Sequence, residues 1–202
     1  MKFVTSWDDG SKHDLRLSKL LKKYNIPATF YIPSNCELSE DDIKKLFKED
    51  FDIGCHTANH PSDLKVYDFI GQEREILLNK LWLENLIGKD IKKFCYPRGR
   101  YNDITIDVLK GLGFKEARTT VTGCTDLPDD KFRVKTSVHV YPKTPKFGKP
   151  DWEAEAYKLY NKAKDKGSEG YFYIWGHSHE LQRYQLWDDL EKFLKFVNKD
   201  TI

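Results

Sequence analysis

The chain alternates between two hydrophobic rhythms. Short runs with consecutive or alternating apolar positions read as strands: KFVTSW, ATFYI after Pro27, FDIGCH, IKKFCYP, FKEARTT, FRVKTSVHVY and GYFYIWG. Between them lie stretches with apolar residues three and four apart, which read as helices. These are DLRLSKLLKKY, SEDDIKKLFKED, residues 66–87, DITIDVLKGLG, residues 152–166 and residues 183–198. Ser39 and Asp42 give the second helix a capping signal, and glycines stop DITIDVLKGLG. GYFYIWG is apolar on both faces, as a buried parallel strand is. PKTPKFGKP reads as a solvated loop. About seven βα units run without a repeat or a break, so residues 1–202 are expected to form a single domain. Such alternation predicts an α/β fold with a parallel sheet, open or closed into a barrel.

Composition narrows the function classes. The 34 basic and 32 acidic residues of this 202-residue chain are interspersed and leave a net charge of +2, which speaks against a nucleic-acid face. No apolar stretch reaches the ~20 residues of a membrane span. The strand-like MKFVTSW begins at once, without a leader pattern, so a cytoplasmic location is expected. Cys36, Cys55, Cys95 and Cys124 show no CxxC spacing and are expected as free thiols. The 28 aromatic residues (5 Trp, 11 Tyr, 12 Phe) read mainly as core, with a few free to line a sugar-binding cleft. No pattern speaks to oligomeric state.

Parallel strands bring their C-terminal ends to one rim. The first strand ends in Asp8 and Asp9, the third in His56, and the fourth in Pro97, Arg98 and Gly99. The fifth ends near Arg118 and the seventh in Trp175, Gly176 and His177. His56 and His60, four apart in HTANH, would share one side of a helical turn. With one carboxylate they make a three-ligand divalent-metal site that leaves a position open. Adjacent carboxylates repel unless a positive group holds them. A metal beside Asp8 and Asp9 would do so, with one ligating and the other free to take a proton from an activated water.

These residues resemble the polysaccharide deacetylases, carbohydrate esterase family 4. TSWDDG is similar to the family's TFDDG motif, with Trp7 in place of Phe, and HTANH to its HTxxH motif. CYPRGRYN is similar to the third motif at Pro97, Gly99 and Asn102, and YIWGHSHE to the last. The resemblance spans most of the chain. It implies a distorted (β/α) barrel of about seven parallel strands and a hydrolase that removes an N-acetyl group from an amino sugar or its conjugate. Asp8 is then the base, and Asp9, His56 and His60 hold zinc or another divalent ion such as cobalt or nickel. His177 is the acid that protonates the leaving amine. The Arg98 N–H serves the oxyanion, with Tyr96, Pro97 and Trp175 near the carbohydrate substrate.

Two departures stand out. The family's third motif usually begins with an arginine that pairs with the base, where this chain has Cys95; Arg118, one strand on, is the candidate replacement. The family's Asp/Trp cluster that orients the acid has no clear counterpart, and Asp126, Asp151–Trp152 and Glu180 are the candidate stand-ins. His13, His139 and His179 read as polar residues outside the chemistry, and Cys55 as buried packing on the face opposite His56. Related members cleave formamides and cyclic amides, and a sugar-binding module with a vestigial site is the non-catalytic alternative. A two-metal phosphoesterase would need more acidic ligands than the rim offers.

Overall fold

The computed structural model describes residues 1–142 and 151–201, so the loop expected at 142–150 lies, from residue 143 on, outside the described residues. In chain order the elements are β1 (Lys2–Asp8), α1 (Asp14–Lys23), β2 (Thr29–Ile32), α2 (Glu40–Lys48) and β3 (Asp52–Cys55). Then come α3 (Phe69–Ile87), β4 (Lys93–Cys95), α4 (Asp103–Gly111), β5 (Glu116–Arg118) and β6 (Val138–His139). The chain ends with α5 (Trp152–Asp165), β7 (Tyr171–Gly176), α6 (Ser178–Arg183) and α7 (Trp187–Thr201). The strands pair in parallel in the order β5-β4-β3-β2-β1-β7-β6 and curl into a half-barrel flanked by helices. The gap between β5 and β6 is spanned by the backbone at Val134, which donates to Ala117 O (3.0 Å) and accepts from Thr119 N (2.9 Å).

Strand alternation sorts two apolar layers. Along β7, Phe172 and Ile174 join Trp7, Phe30, Ile53 and Phe94 in the large core beneath the helices. Tyr171, Tyr173 and Trp175 point the other way and pack with Val134 and Val4 inside the barrel. That is why GYFYIWG is apolar throughout. Each such side chain, fully buried, contributes about 1.5–3 kcal/mol. Gly54 on β3 makes room for the interior: a Cβ there would lie 2.3 Å from the ring of Tyr31.

The helices follow their patterns with three shifts. The Ser39 hydroxyl accepts from Asp42 N while Ser39 N donates to Asp42 Oδ2, a complete capping box for α2. α3 starts at Phe69 instead of residue 66, because Asp68 accepts from Gly71 N and caps it there; Leu64–Val66 is a separate 3-10 turn. The last helical stretch begins earlier, at Ser178, and breaks near Gln185, whose φ is 55°. FRVKTSVHVY forms one bridge at Val134 and a two-residue strand at Val138–His139, because its pairing moves from β5 to β7 partway along.

Candidate active site

β1 carries the two adjacent acids to the rim and then turns sharply. Asp9 (φ 78°) and Gly10 (φ 60°) both adopt left-handed backbone, which non-glycine residues rarely hold without support. A side chain at Gly10 would also place its Cβ 2.7 Å from that of Cys36. The turn separates the two carboxylates. Asp8 stays buried, whereas Asp9 reaches into a group of imidazoles. Asp9 Oδ1 lies 3.5 Å from His56 Nε2 and 3.4 Å from His60 Nε2, and its Oδ2 lies 3.7 Å from His177 Nε2. Burial would raise the Asp9 carboxyl, but a hydrogen bond from His56 and the charge that His56, His177 and His60 carry when protonated outweigh it and hold it well below the usual range.

His56 and His60 meet by a different route from the helical turn expected of HTANH. The segment is a loop in which Thr57 (φ 68°) and His60 (φ 48°) are left-handed, and His60 N donates to Thr57 Oγ1 (3.1 Å). The two rings end 4.7 Å apart. His56 Nδ1 lies 2.7 Å from the main-chain oxygen of Cys95. A carbonyl only accepts, so Nδ1 carries a proton, and in the neutral ring Nε2 turns its lone pair toward Asp9. Among the described residues no hydrogen bond reaches Asp9 Oδ1, although it is buried. The donor atoms of Asp9, His56 and His60 lie within 4.8 Å of one another. A buried bare oxygen facing two imidazole nitrogens fits a divalent cation.

The charge partner of Asp8 comes from β5. Cys95 and Arg118 are register neighbours on β4 and β5, and both are fully buried. The Arg118 Nη2 donates to Asp8 Oδ2 and lies 2.7 Å from Cys95 Sγ. Its guanidinium rests over Trp175, 4.3 Å from the ring centroid. The cation thus stands one strand away from the family's motif position. Among the described residues Asp8 Oδ1 makes no hydrogen bond.

His177 follows β7, and its Nδ1 lies 2.6 Å from Glu180 Oε2, three residues on in the first turn of α6. Burial would lower the His177 pKa, but the Glu180 hydrogen bond and the charges of Asp8, Glu180 and Asp9 outweigh it and raise it. Of the candidate stand-ins, Glu180 touches His177. Asp126 pairs with Lys166 at the surface, and Asp151 caps α5. His139 also faces Glu180 Oε2, at 3.3 Å, and its ring stacks on Trp175. That placement escapes sequence reasoning, because β6 offers two residues of pairing and no motif.

The remaining candidates divide. Arg98 (φ 54°) is exposed in a left-handed turn after β4, and Pro97 beside it is buried. Tyr96 is fully buried, donates its hydroxyl to Phe132 O (2.8 Å) and stacks on Tyr101, so it shapes the loop from within. Cys55 turns away from the rim, as strand alternation requires, and donates to Asn79 Oδ1. A cavity of about 420 Å³ lies beside the site, lined by Arg98, Ser137, His139, Tyr141, Trp152 and Trp175. Among the described residues no helix is long and apolar enough to cross a membrane.

The sequence profile of the polysaccharide deacetylases matches residues 2–117, more than half of the chain. The chain belongs to the polysaccharide deacetylase family. The match runs from β1 into β5, taking in Asp8, Asp9, His56, His60 and Cys95, and stops one residue before Arg118. A peptidoglycan deacetylase of Helicobacter pylori is 30% identical over 102 residues, which are 50% of this chain and 34% of that protein. The chain spans between about a third and under half of the curated relatives it matches. Among solved structures, the Streptococcus pyogenes deacetylase PplD, in complex with acetate, superposes with a TM-score of 0.61 at 24% identity, covering 65% of this chain and 62% of that one. A carbohydrate esterase family 4 pseudoenzyme of Bacillus anthracis superposes with a TM-score of 0.66 at 13% identity, covering 98% and 60%. Both likenesses place this family member in the family 4 fold.

Proposed function

We propose that the chain is a metal-dependent N-deacetylase acting on an amino sugar within an oligosaccharide or conjugate. One observation carries this reading: the Asp9–His56–His60 cluster lies between a buried carboxylate, Asp8, and a carboxylate-supported imidazole, His177. Amide hydrolysis needs an activated water, a stabilised oxyanion and a protonated leaving amine. Asp9, His56 and His60 would hold a divalent ion, with zinc favoured by two imidazoles and one carboxylate. When bound, the ion lowers the pKa of water and draws charge from the acyl oxygen.

The protein groups do the rest. Asp8 takes a proton from the attacking water through Oδ1, while Arg118 holds Oδ2. The Arg98 N–H donates to the developing oxyanion. His177 keeps its Nδ1 proton on Glu180 and gives the Nε2 proton to the departing amine. The cavity beside Trp175 and His139 provides aromatic walls for a sugar.

The test is acetate release from N-acetylated chito-oligosaccharides and UDP-N-acetylglucosamine by metal-stripped protein, with and without zinc, beside Asp8→Asn. Zinc-dependent release that is lost in the variant supports the reading. No release from these substrates, nor from a formamide and cyclic-amide panel, would leave a sugar-binding protein in its place.

A further inference from the structure

Beyond the Asp9 cluster the rim carries a second set of donors. His177 Nδ1 and His139 Nε2 lie 2.6 and 3.3 Å from the same oxygen, Glu180 Oε2. The donor atoms of the three residues lie within 4.8 Å of one another. They come from β6, from the end of β7 and from α6, and each side chain is less than a fifth exposed. The geometry is fixed by stacking: the His139 ring lies flat on Trp175, 3.9 Å away at 7°, and meets the His177 ring edge-on at 5.5 Å. His139 also lines the neighbouring cavity, so the cluster can be reached. Two imidazoles and a carboxylate at an accessible edge are the donor set of an open zinc site.

We propose that His139, His177 and Glu180 form a second zinc site, weaker than the Asp9 cluster, and that filling it stops hydrolysis. The inhibitory half rests on the reading of His177 as the acid; the binding half does not. Zinc takes the place of the proton between His177 Nδ1 and Glu180; from the imidazolium that proton leaves to solvent, and in the neutral ring it is exchanged to Nε2. His139 adds the lone pair of Nε2. A ring bearing zinc on Nδ1 cannot become imidazolium; the proton left on Nε2 belongs to a neutral ring and is a far weaker acid, so His177 no longer protonates the leaving amine. The site is weaker because zinc must displace the hydrogen bond already made at Glu180, whereas Asp9 Oδ1 has none to lose. Imidazole donors favour zinc over magnesium.

The test needs no substrate. Metal-stripped protein is dialysed against rising zinc and the bound metal is counted, with melting curves verifying that each variant is folded. The wild type is expected to take up one ion tightly and a second weakly. His139→Gln and Glu180→Gln should each lose the weak ion and keep the tight one, while His60→Gln should lose the tight one. Magnesium should not fill the second site. A wild type that saturates at one ion, or variants at 139 and 180 that both keep two, overturns the proposal. Where acetate release is detectable, the rate should rise with the first ion, then fall at least ~10-fold with the second; that fall should vanish in His139→Gln whatever its basal rate. If no variant releases acetate, the deacetylase reading fails while the metal count still decides the second site.

Discussion

Asp8 has two oxygens with different surroundings: Oδ2 receives the Arg118 guanidinium, and Oδ1 makes no hydrogen bond among the described residues. Asp8→Asn keeps the shape and removes the proposed base. Acetate release should fall by ~10²–10⁴-fold, with zinc uptake at the Asp9 cluster unchanged in the same dialysis. Glu180 supports His177 from the other side. Burial would raise the Glu180 carboxyl, but the adjacent imidazoles of His139 and His177 hold it at about 2. Glu180→Gln removes that charge, and the His177 pKa falls. An acid must be protonated to act, so the alkaline limb of the kcat/KM profile should move to lower pH. An unmoved limb would take Glu180 out of the acid's support. Asp14 is fully buried below the site, and burial pushes it up to about 8 from the ordinary 3.8. Between those values the unfolded chain releases this proton while the folded chain keeps it, so stability falls as pH rises. In metal-free protein, Asp14→Asn should flatten that slope in urea melts between pH 5 and 8. Sequence placed the acids and histidines at strand ends, but it gave no signal of a buried Asp14 or of His139 facing Glu180.

At the level of strands and loops, the informative substitution is one that the protein already carries. The guanidinium that steadies Asp8 sits on β5, directly across the register from the cysteine on β4. Removing it in Arg118→Ala leaves a buried carboxylate unpaired and should cost about 3–5 kcal/mol in urea unfolding. Cys95→Arg combined with Arg118→Ala returns the cation to β4 and should recover part of that loss; a double variant no more stable than the single one would show that the two positions are not interchangeable. The strands and most helices were legible because their apolar period is local. The division of FRVKTSVHVY was not, because it depends on which neighbour each residue pairs with. HTANH was read with the right residues and the wrong backbone, since left-handed φ at Thr57 and His60 leaves no mark in the side-chain pattern.

On the scale of the whole chain, the family profile covers β1 to β5, while Arg118, His139, His177 and Glu180 lie beyond it. The profile thus takes in the proposed metal ligands and omits the cation on Asp8, the His139 ring and the pair, His177 and Glu180, proposed to supply and support the acid. Fold class was readable because seven βα alternations leave few topologies; Arg118 could be named as the cation for Asp8, 110 residues away, because it ends the next strand, and the two do pair. Zinc held between the β1 turn and the loop after β3 should stabilise the native state by about 2.7 kcal/mol at a hundred times its dissociation constant. A melting temperature indifferent to zinc would remove the metal from the Asp9 cluster. The barrel wall, finally, is a hoop with a clasp. Most of its circumference is continuous strand pairing, but between β5 and β6 it is fastened by a few main-chain bonds around Val134. A hoop yields at its clasp, so deuterium should enter the amides of Thr119 and Val134 before those of β1 and β7. Arg118 is tethered beside that clasp. Under mild denaturant the protein should therefore stop turning over while its spectrum is still that of a folded chain, the catalyst failing before the fold.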